Sequence, residues 1–142
     1  MVSRGPVNLG WLDTNIFLHA ITLGDPHGPR CRDLLKALED GRADGWLAPT
    51  VVHELSYVLS RRRAFPTRAA IAFYLSTILS YPGVRATDKT LLLATVGRWT
   101  AGTMGFVDAL LAELAARDGL PVCSVNARDF PATPNSYATA VL

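Results

Sequence analysis

Apolar and polar positions along this chain follow two rhythms, and the switches between them mark its elements. Val7 to Leu12, Gly45 to Ala48, Val84 to Thr87 and Pro121 to Ser124 are short apolar runs of strand length, and Tyr137 to Val141 reads as an edge strand. Between them apolar residues recur three and four positions apart, the period of a helix with one buried face. Thr14 to Ile21 reads as the first helix, and the Gly24-Asp25-Pro26-His27-Gly28-Pro29 loop leads to a second from Arg30, with Leu34, Leu35 and Leu38 inward and Gly41 as its stop. Pro49 to Arg63 forms the third, because Pro suits a first turn; Val51, Leu55, Val58 and Leu59 make its stripe, with Glu54 off centre. Arg68 to Ser80 follows, with Ile71, Tyr74, Leu75, Ile78 and Leu79 on one face, then Asp88 to Trp99, capped by Asp88, and Phe106 to Arg117.

Strands alternating with helices predict an α/β fold with a mainly parallel central sheet flanked by helices. At 142 residues and 49% apolar content the chain buries one core, so residues 1–142 are read as a single domain. In such a sheet the carboxyl ends of the strands line the binding crevice.

Composition adds a partner. Only 18% of residues are charged and mean hydropathy is +0.20, so more of the surface than usual is apolar, which favours a complex or a homodimer. The stripe of Ile71, Tyr74, Leu75 and Ile78 is the surface expected to carry it. Net charge is +2, but 12 of the 14 basic residues are Arg, whose planar guanidinium suits phosphate, so nucleic acid is permitted. Cys31 and Cys123 lack metal-binding spacing and read as buried free thiols of a reducing cytoplasm. Asp13 and Asn15 interrupt the N-terminal apolar stretch before a signal or membrane span can form, so no membrane association is expected.

Four acids then stand out. Asp13 follows the first strand; Glu54 lies in Thr50-Val51-Val52-His53-Glu54-Leu55, Asp108 in Gly105-Phe106-Val107-Asp108-Ala109, and Asp129 in Asn126-Ala127-Arg128-Asp129-Phe130. A carboxylate beside an apolar run costs desolvation unless a cation compensates it. Asp13 and Asp129 are placed at strand carboxyl ends, Glu54 and Asp108 in first helical turns, so one sheet edge can gather all four. Each also has a plain reading: Asp13 as an N-cap, Glu54 and Asp108 as partners of helix dipoles, Asp129 as a turn residue beside Arg128. Taken jointly they are hard oxygen ligands, suited to Mg²⁺ or Mn²⁺, while His19, His27 and His53 show no zinc spacing. Arg61, Arg62 and Arg63 form the basic run, with Arg68 close behind; it is either a solvated helix end or a contact for RNA or a partner protein, and Arg85, Arg98 and Arg128 are candidates for the site edge.

In order and spacing, Leu12-Asp13-Thr14-Asn15, the Glu54 segment, Phe106-Val107-Asp108-Ala109 and Ser124-Val125-Asn126-Ala127-Arg128-Asp129-Phe130 resemble the four motifs of PIN domains. The length and compactness are most similar to the VapC ribonuclease toxins of toxin-antitoxin pairs. The resemblance implies a three-layer, Rossmann-like domain and a Mg²⁺- or Mn²⁺-dependent endoribonuclease that inhibits translation, with a VapB-like antitoxin as partner. It makes Asp13, Glu54 and Asp108 the metal-holding acids and Asp129 the fourth catalytic residue. Asn126 competes with Asp129 for that fourth place. Thr14, Asn15, Ser124 and Asn126 would support the acids or touch substrate. The alternatives are an RNA-processing PIN nuclease that is no toxin, or a silent scaffold binding RNA or protein. An aspartyl-phosphate enzyme built on Asp13 is disfavoured, since Asn15 stands where that chemistry wants a second acid.

Overall fold

Val7, Leu9 and Trp11 alternate with Asn8 and Gly10, the period-two pattern of a strand, and they form β1 (Val7–Trp11). A computed structural model of the chain describes residues 4–130. In it β1 opens a three-stranded sheet ordered β1-β2-β3, with β2 at Ala43–Trp46 and β3 at Val84–Arg85. Both pairings are parallel. With six α-helices among the described residues, this is the α/β class that the alternation predicts.

The register shows where the expected strand limits moved. β2 was expected at Gly45 to Ala48, but its ladder starts earlier, with Ala43 opposite Val7 and Asp44 opposite Asn8. The apolar signal of Leu47 reflects burial just past the ladder: its side chain is 1% exposed and its N–H still donates to Arg85 O at 2.7 Å. β3 covers only the first half of its expected span.

The chain divides between Lys89 and Thr90 into two compact units. In the first, α1 (Thr14–Ile21) packs on α2 (Gly28–Glu39) and α3 (Pro49–Leu59), α2 packs on β2, and α4 (Arg68–Leu79) packs on α3 and β3. Phe17, Leu38, Leu55, Leu59, Ile71, Leu75, Ile78 and Leu79 fill its core. α2 begins at Gly28, ahead of the expected Arg30, because Pro29 is well placed in a first turn. α3 stops at Leu59, short of Arg63, since Ser60 to Arg63 offers nothing to bury. Its inward face is Val52, Leu55, Ser56 and Leu59, while Val51 and Val58 are half-buried at the flanks.

α4 corrects the expected partner surface. Ile71, Leu75 and Ile78 are 1%, 2% and 1% exposed, so that stripe is core; the helix turns Phe73 outward instead, 77% exposed. Thr67 caps α4, its Oγ1 accepting from Ala70 N at 3.1 Å. At the foot of β3, Gly83 lies so close to its neighbours that an added Cβ would come within 2.0 Å of Ala43 O and 2.8 Å of Leu38 O.

In the second unit, α5 (Lys89–Ala101) opens directly after Asp88 and turns Leu92, Thr95, Val96 and Trp99 inward. α6 (Phe106–Asp118) buries Phe106, Ala109, Ala112 and Ala115 and ends on Gly119 in the left-handed region, φ 66°. The Trp99 and Phe106 rings meet edge to face at 6.3 Å, and Arg98 Nε donates to Glu113 Oε1 at 2.7 Å. The expected strand from Pro121 to Ser124 is reduced to an isolated bridge at Val122. Pro121 has no N–H for a ladder, and Ser124 Oγ accepts Asn126 N–H at 3.0 Å, turning the chain away. Tyr137 to Val141 lies outside the described residues.

Candidate functional site

The first part of the site begins where β1 ends. Leu12 N donates to Trp46 O at 2.8 Å, holding the chain against the carboxyl end of β2, and Asp13 follows in an extended conformation, φ −84° and ψ 150°, as the residue before α1. Asp13 occupies the N-cap position but its carboxylate closes no cap hydrogen bond, so the plain capping reading accounts for its position alone. Its side chain is exposed.

Thr14 supplies the link. It is only 3% exposed, and its Oγ1 donates to Glu54 Oε2 at 2.6 Å, joining positions 40 residues apart. A hydroxyl bonding a carboxylate at this distance is charge-assisted and fixes the acceptor's orientation. α3 turns Val52, Leu55, Ser56 and Leu59 inward, and this buried face fixes the side of the helix on which Glu54 stands. Asn15 is exposed on the first turn of α1.

In the second unit, Asp108 sits half-buried in the first turn of α6, where the helix dipole favours a negative charge. Ser124, Asn126 and Asp129 share one turn: Ser124 Oγ accepts from Asn126 N, and Asn126 O accepts from Asp129 N at 3.0 Å. A short 3₁₀ turn, Ala127–Asp129, then delivers Phe130, 4% exposed, into a cluster with Ala112, Ala115 and Val122. Asp129 and Asn126 are both exposed.

Several expectations change with this geometry. Asp13, Glu54 and Asp129 are exposed and Asp108 is half-buried, so the apolar neighbours in sequence do not desolvate these acids. Leu12, Leu55 and Phe130 point inward while Asp13, Glu54 and Asp129 beside them point out. Glu54 lies in the second turn of α3, because the helix starts at Pro49. Among the described residues, no group of three or more His, Cys, Asp or Glu side chains stands ready to hold a metal. Within the first unit the donor chemistry nonetheless suits a hard divalent ion: Asp13 and Glu54 offer only oxygen, and Glu54 is already oriented by Thr14. Cys31 is buried as expected, but Cys123 is exposed, since Val122 takes the inward position beside it.

The basic residues divide by what already engages them. Arg61 lies over the Tyr57 ring, 4.4 Å from its centroid, and also bonds the Tyr57 hydroxyl. Arg62 Nη1 reaches Thr22 Oγ1 at 3.4 Å, tying the end of α3 to the turn after α1, and Arg63 is exposed. Arg85 pairs with Asp44 at 3.4 Å, Arg98 is committed to Glu113, and Arg128 is exposed.

One pairing escaped the sequence reading. His19 Nδ1 and Asp25 Oδ2 meet at 2.6 Å, and Asp25 Oδ1 accepts from His27 N at 2.8 Å. The bond to His19, then that from the His27 backbone, holds the Asp25 carboxyl below the usual carboxylate range. The available signal was Asp25 in a Gly-Asp-Pro turn just beyond a helix carrying His19.

Among the described residues no helix is long and apolar enough to cross a membrane. A family model described as PIN domain matches residues 11–120. That span includes Asp13, Thr14, Asn15, Glu54 and Asp108 and stops before Ser124. No curated protein matches the chain.

Proposed function

The chain belongs to the PIN-domain family, whose members are generally nucleases that use Mg²⁺ or Mn²⁺, and on that premise we propose that it is an endoribonuclease, the toxin of a VapBC-type pair. The observation that carries the reading is the bond of 2.6 Å from Thr14 to Glu54, which brings the second acid to the element that the first one opens. Asp13, Glu54 and Asp108 are the residues that would hold Mg²⁺ or Mn²⁺, and Asp129 is the fourth acid, supported by Ser124 and Asn126. A bound divalent ion supplies a water of lowered pKa and neutralises charge developing on a phosphodiester. The chain's own contribution is positional: Thr14 fixes Glu54, and the backbone at Asp13 presents an exposed carboxylate with no cap bond to break. Arg63 and Arg128, exposed and cationic, are suited to RNA phosphates.

As a toxin, the protein cleaves RNA required for translation in the cytoplasm, acts as a homodimer, and is silenced by a VapB-like antitoxin. Purified protein should cut single-stranded RNA with Mn²⁺ or Mg²⁺, and Asp13→Asn and Asp108→Asn should abolish cutting. If both variants cut as fast as the parent, the reading falls. Induced expression should arrest growth, and co-expression of a small protein from a neighbouring reading frame should relieve it. Cleavage without growth arrest would select the RNA-processing alternative.

A further inference from the structure

Trp11 and Trp46 lie opposite one another at the carboxyl ends of β1 and β2, and neither is buried: Trp11 is 67% exposed and Trp46 38%. Their ring centroids stand 5.7 Å apart with planes tilted by 46°, so Trp46 braces one side of Trp11 and leaves the rest of its ring to solvent. A single exposed apolar residue is ordinary, but two adjoining indoles form a contiguous apolar patch of the kind that marks a binding surface.

The backbone beneath them is shaped for this placement. The β1–β2 register slips between Asn8 and Trp11, and Gly10 there takes φ 74°, with its N–H held by Asn8 Oδ1 at 2.9 Å. Such a bulge redirects the side chain that follows it. The redirected residue is Trp11, two positions before Asp13. Next to Trp46 in register is Arg85, whose side chain is 54% exposed although it touches Asp44. An open indole face with a solvated guanidinium on the adjoining strand offers one surface for a flat ring and one charge for a phosphate.

Resting on the nuclease reading above, we infer that Trp11, braced by Trp46, is a stacking platform for a base of single-stranded RNA, with Arg85 meeting the backbone phosphate beside it. Stacking on an aromatic ring tolerates any base, since every base has a π face. The platform therefore holds a strand next to Asp13 without reading its sequence. A base within a duplex is stacked on its neighbours and cannot use it. A protein partner would also suit two tryptophans beside an arginine, and the experiment below separates that occupant from RNA.

The three tryptophans make the test direct, because Trp99 is 5% exposed and serves as an unquenched internal reference. Indole fluorescence and the anisotropy of a fluorescein-labelled single-stranded 12-nucleotide RNA would be followed in the Asp13→Asn background, which keeps the RNA whole. Single-stranded RNA should quench the exposed tryptophans and duplex RNA should not. Trp11→Ala should weaken binding roughly tenfold and Trp11→Phe much less, since a flat ring remains. Unchanged affinity in Trp11→Ala overturns the platform. So does Trp11→Ala converting a dimer to a monomer by light scattering with RNA affinity intact, which would assign the pair to a protein contact. Quenching by RNA in a protein whose Asp13-bearing form cuts nothing would retain the platform and overturn the nuclease reading instead.

Discussion

Thr14→Val isolates the one hydrogen bond that couples the first two acids. Valine matches threonine in shape and branching, so the pocket around a residue only 3% exposed stays filled while the donor to Glu54 disappears. A hydrogen bond to a charged group contributes about 1.5–3 kcal/mol when both partners are buried. Glu54 is exposed and recovers water when released, so the net loss should be nearer 1 kcal/mol. For a domain of this size that lowers Tm by roughly 2–5 °C. Function should suffer far more than stability, since a displacement of about 1 Å in a reacting geometry costs on the order of 100-fold in rate. The assay pairs thermal unfolding by circular dichroism with the cleavage rate of a labelled single-stranded RNA at saturating Mn²⁺. Thr14→Ser, which keeps the hydroxyl, should restore most of the rate. If Thr14→Val cuts at the parental rate, the bond does not position Glu54 for catalysis. A Tm drop well beyond 5 °C would show that Thr14 is chiefly structural.

Three further outcomes follow from other parts of the molecule. Gly83→Ala should destabilise by about 3 kcal/mol or more, read by urea unfolding, because its Cβ would meet Ala43 O and Leu38 O and neither is a side chain that can swing aside; an unchanged midpoint would show that the strand can move. Burial, and secondarily Tyr81, pushes the Tyr74 phenol up from 10.0 to about 12. The folded state thus keeps a proton that the unfolded state loses, so this contribution is complete below pH 10 and is lost as pH rises from 10 to 12. Tyr74→Phe should flatten the decline of unfolding midpoints across that window, and an unaltered slope would refute the assignment. A thiol-reactive chromogenic disulfide should label Cys123 promptly in the native protein and reach Cys31 only on unfolding, as their exposures require; mass mapping of the labelled peptides distinguishes the two sites.

Much of the fold could be read from periodicity because the helices carry strong inward faces. Leu38 and Leu55, both fully buried, fall on positions where the sequence pattern pointed inward. Strand limits were harder. β2 is set by pairing with Val7 and Asn8, a contact distant in sequence, whereas the apolar Leu47 drew the eye past its end. The strand expected at Pro121 failed because a ladder needs N–H donors and a straight path, and Pro121 and Ser124 remove one of each. The apolar face of α4 was legible as a face but not as interior, since sequence alone cannot say whether a stripe meets its own chain or another.

The site was legible in its residue types more than in their environment. Asp13 and Glu54 lie on elements that Thr14 joins, which supports reading them together. The desolvation argument that first singled them out does not describe them, because a helix or strand end turns an acid outward even when its sequence neighbours are apolar. Trp11 was visible only as an apolar strand residue. Its exposure depends on the bulge at Gly10, which the run from Val7 to Leu12 does not announce.

Among the described residues, each strand of the sheet pairs with strands adjacent to it in chain order, and this bears on how a ribosome makes the protein. Chains generally fold N-terminal first as they are synthesised. A nascent chain that has emerged as far as Lys89 already holds β1-β2-β3 and both partners of the Thr14–Glu54 bond, yet has no Asp108 and no Asp129. If those acids are all needed for nuclease activity, such a nascent chain is still inactive and stays so until Asp129 has been translated.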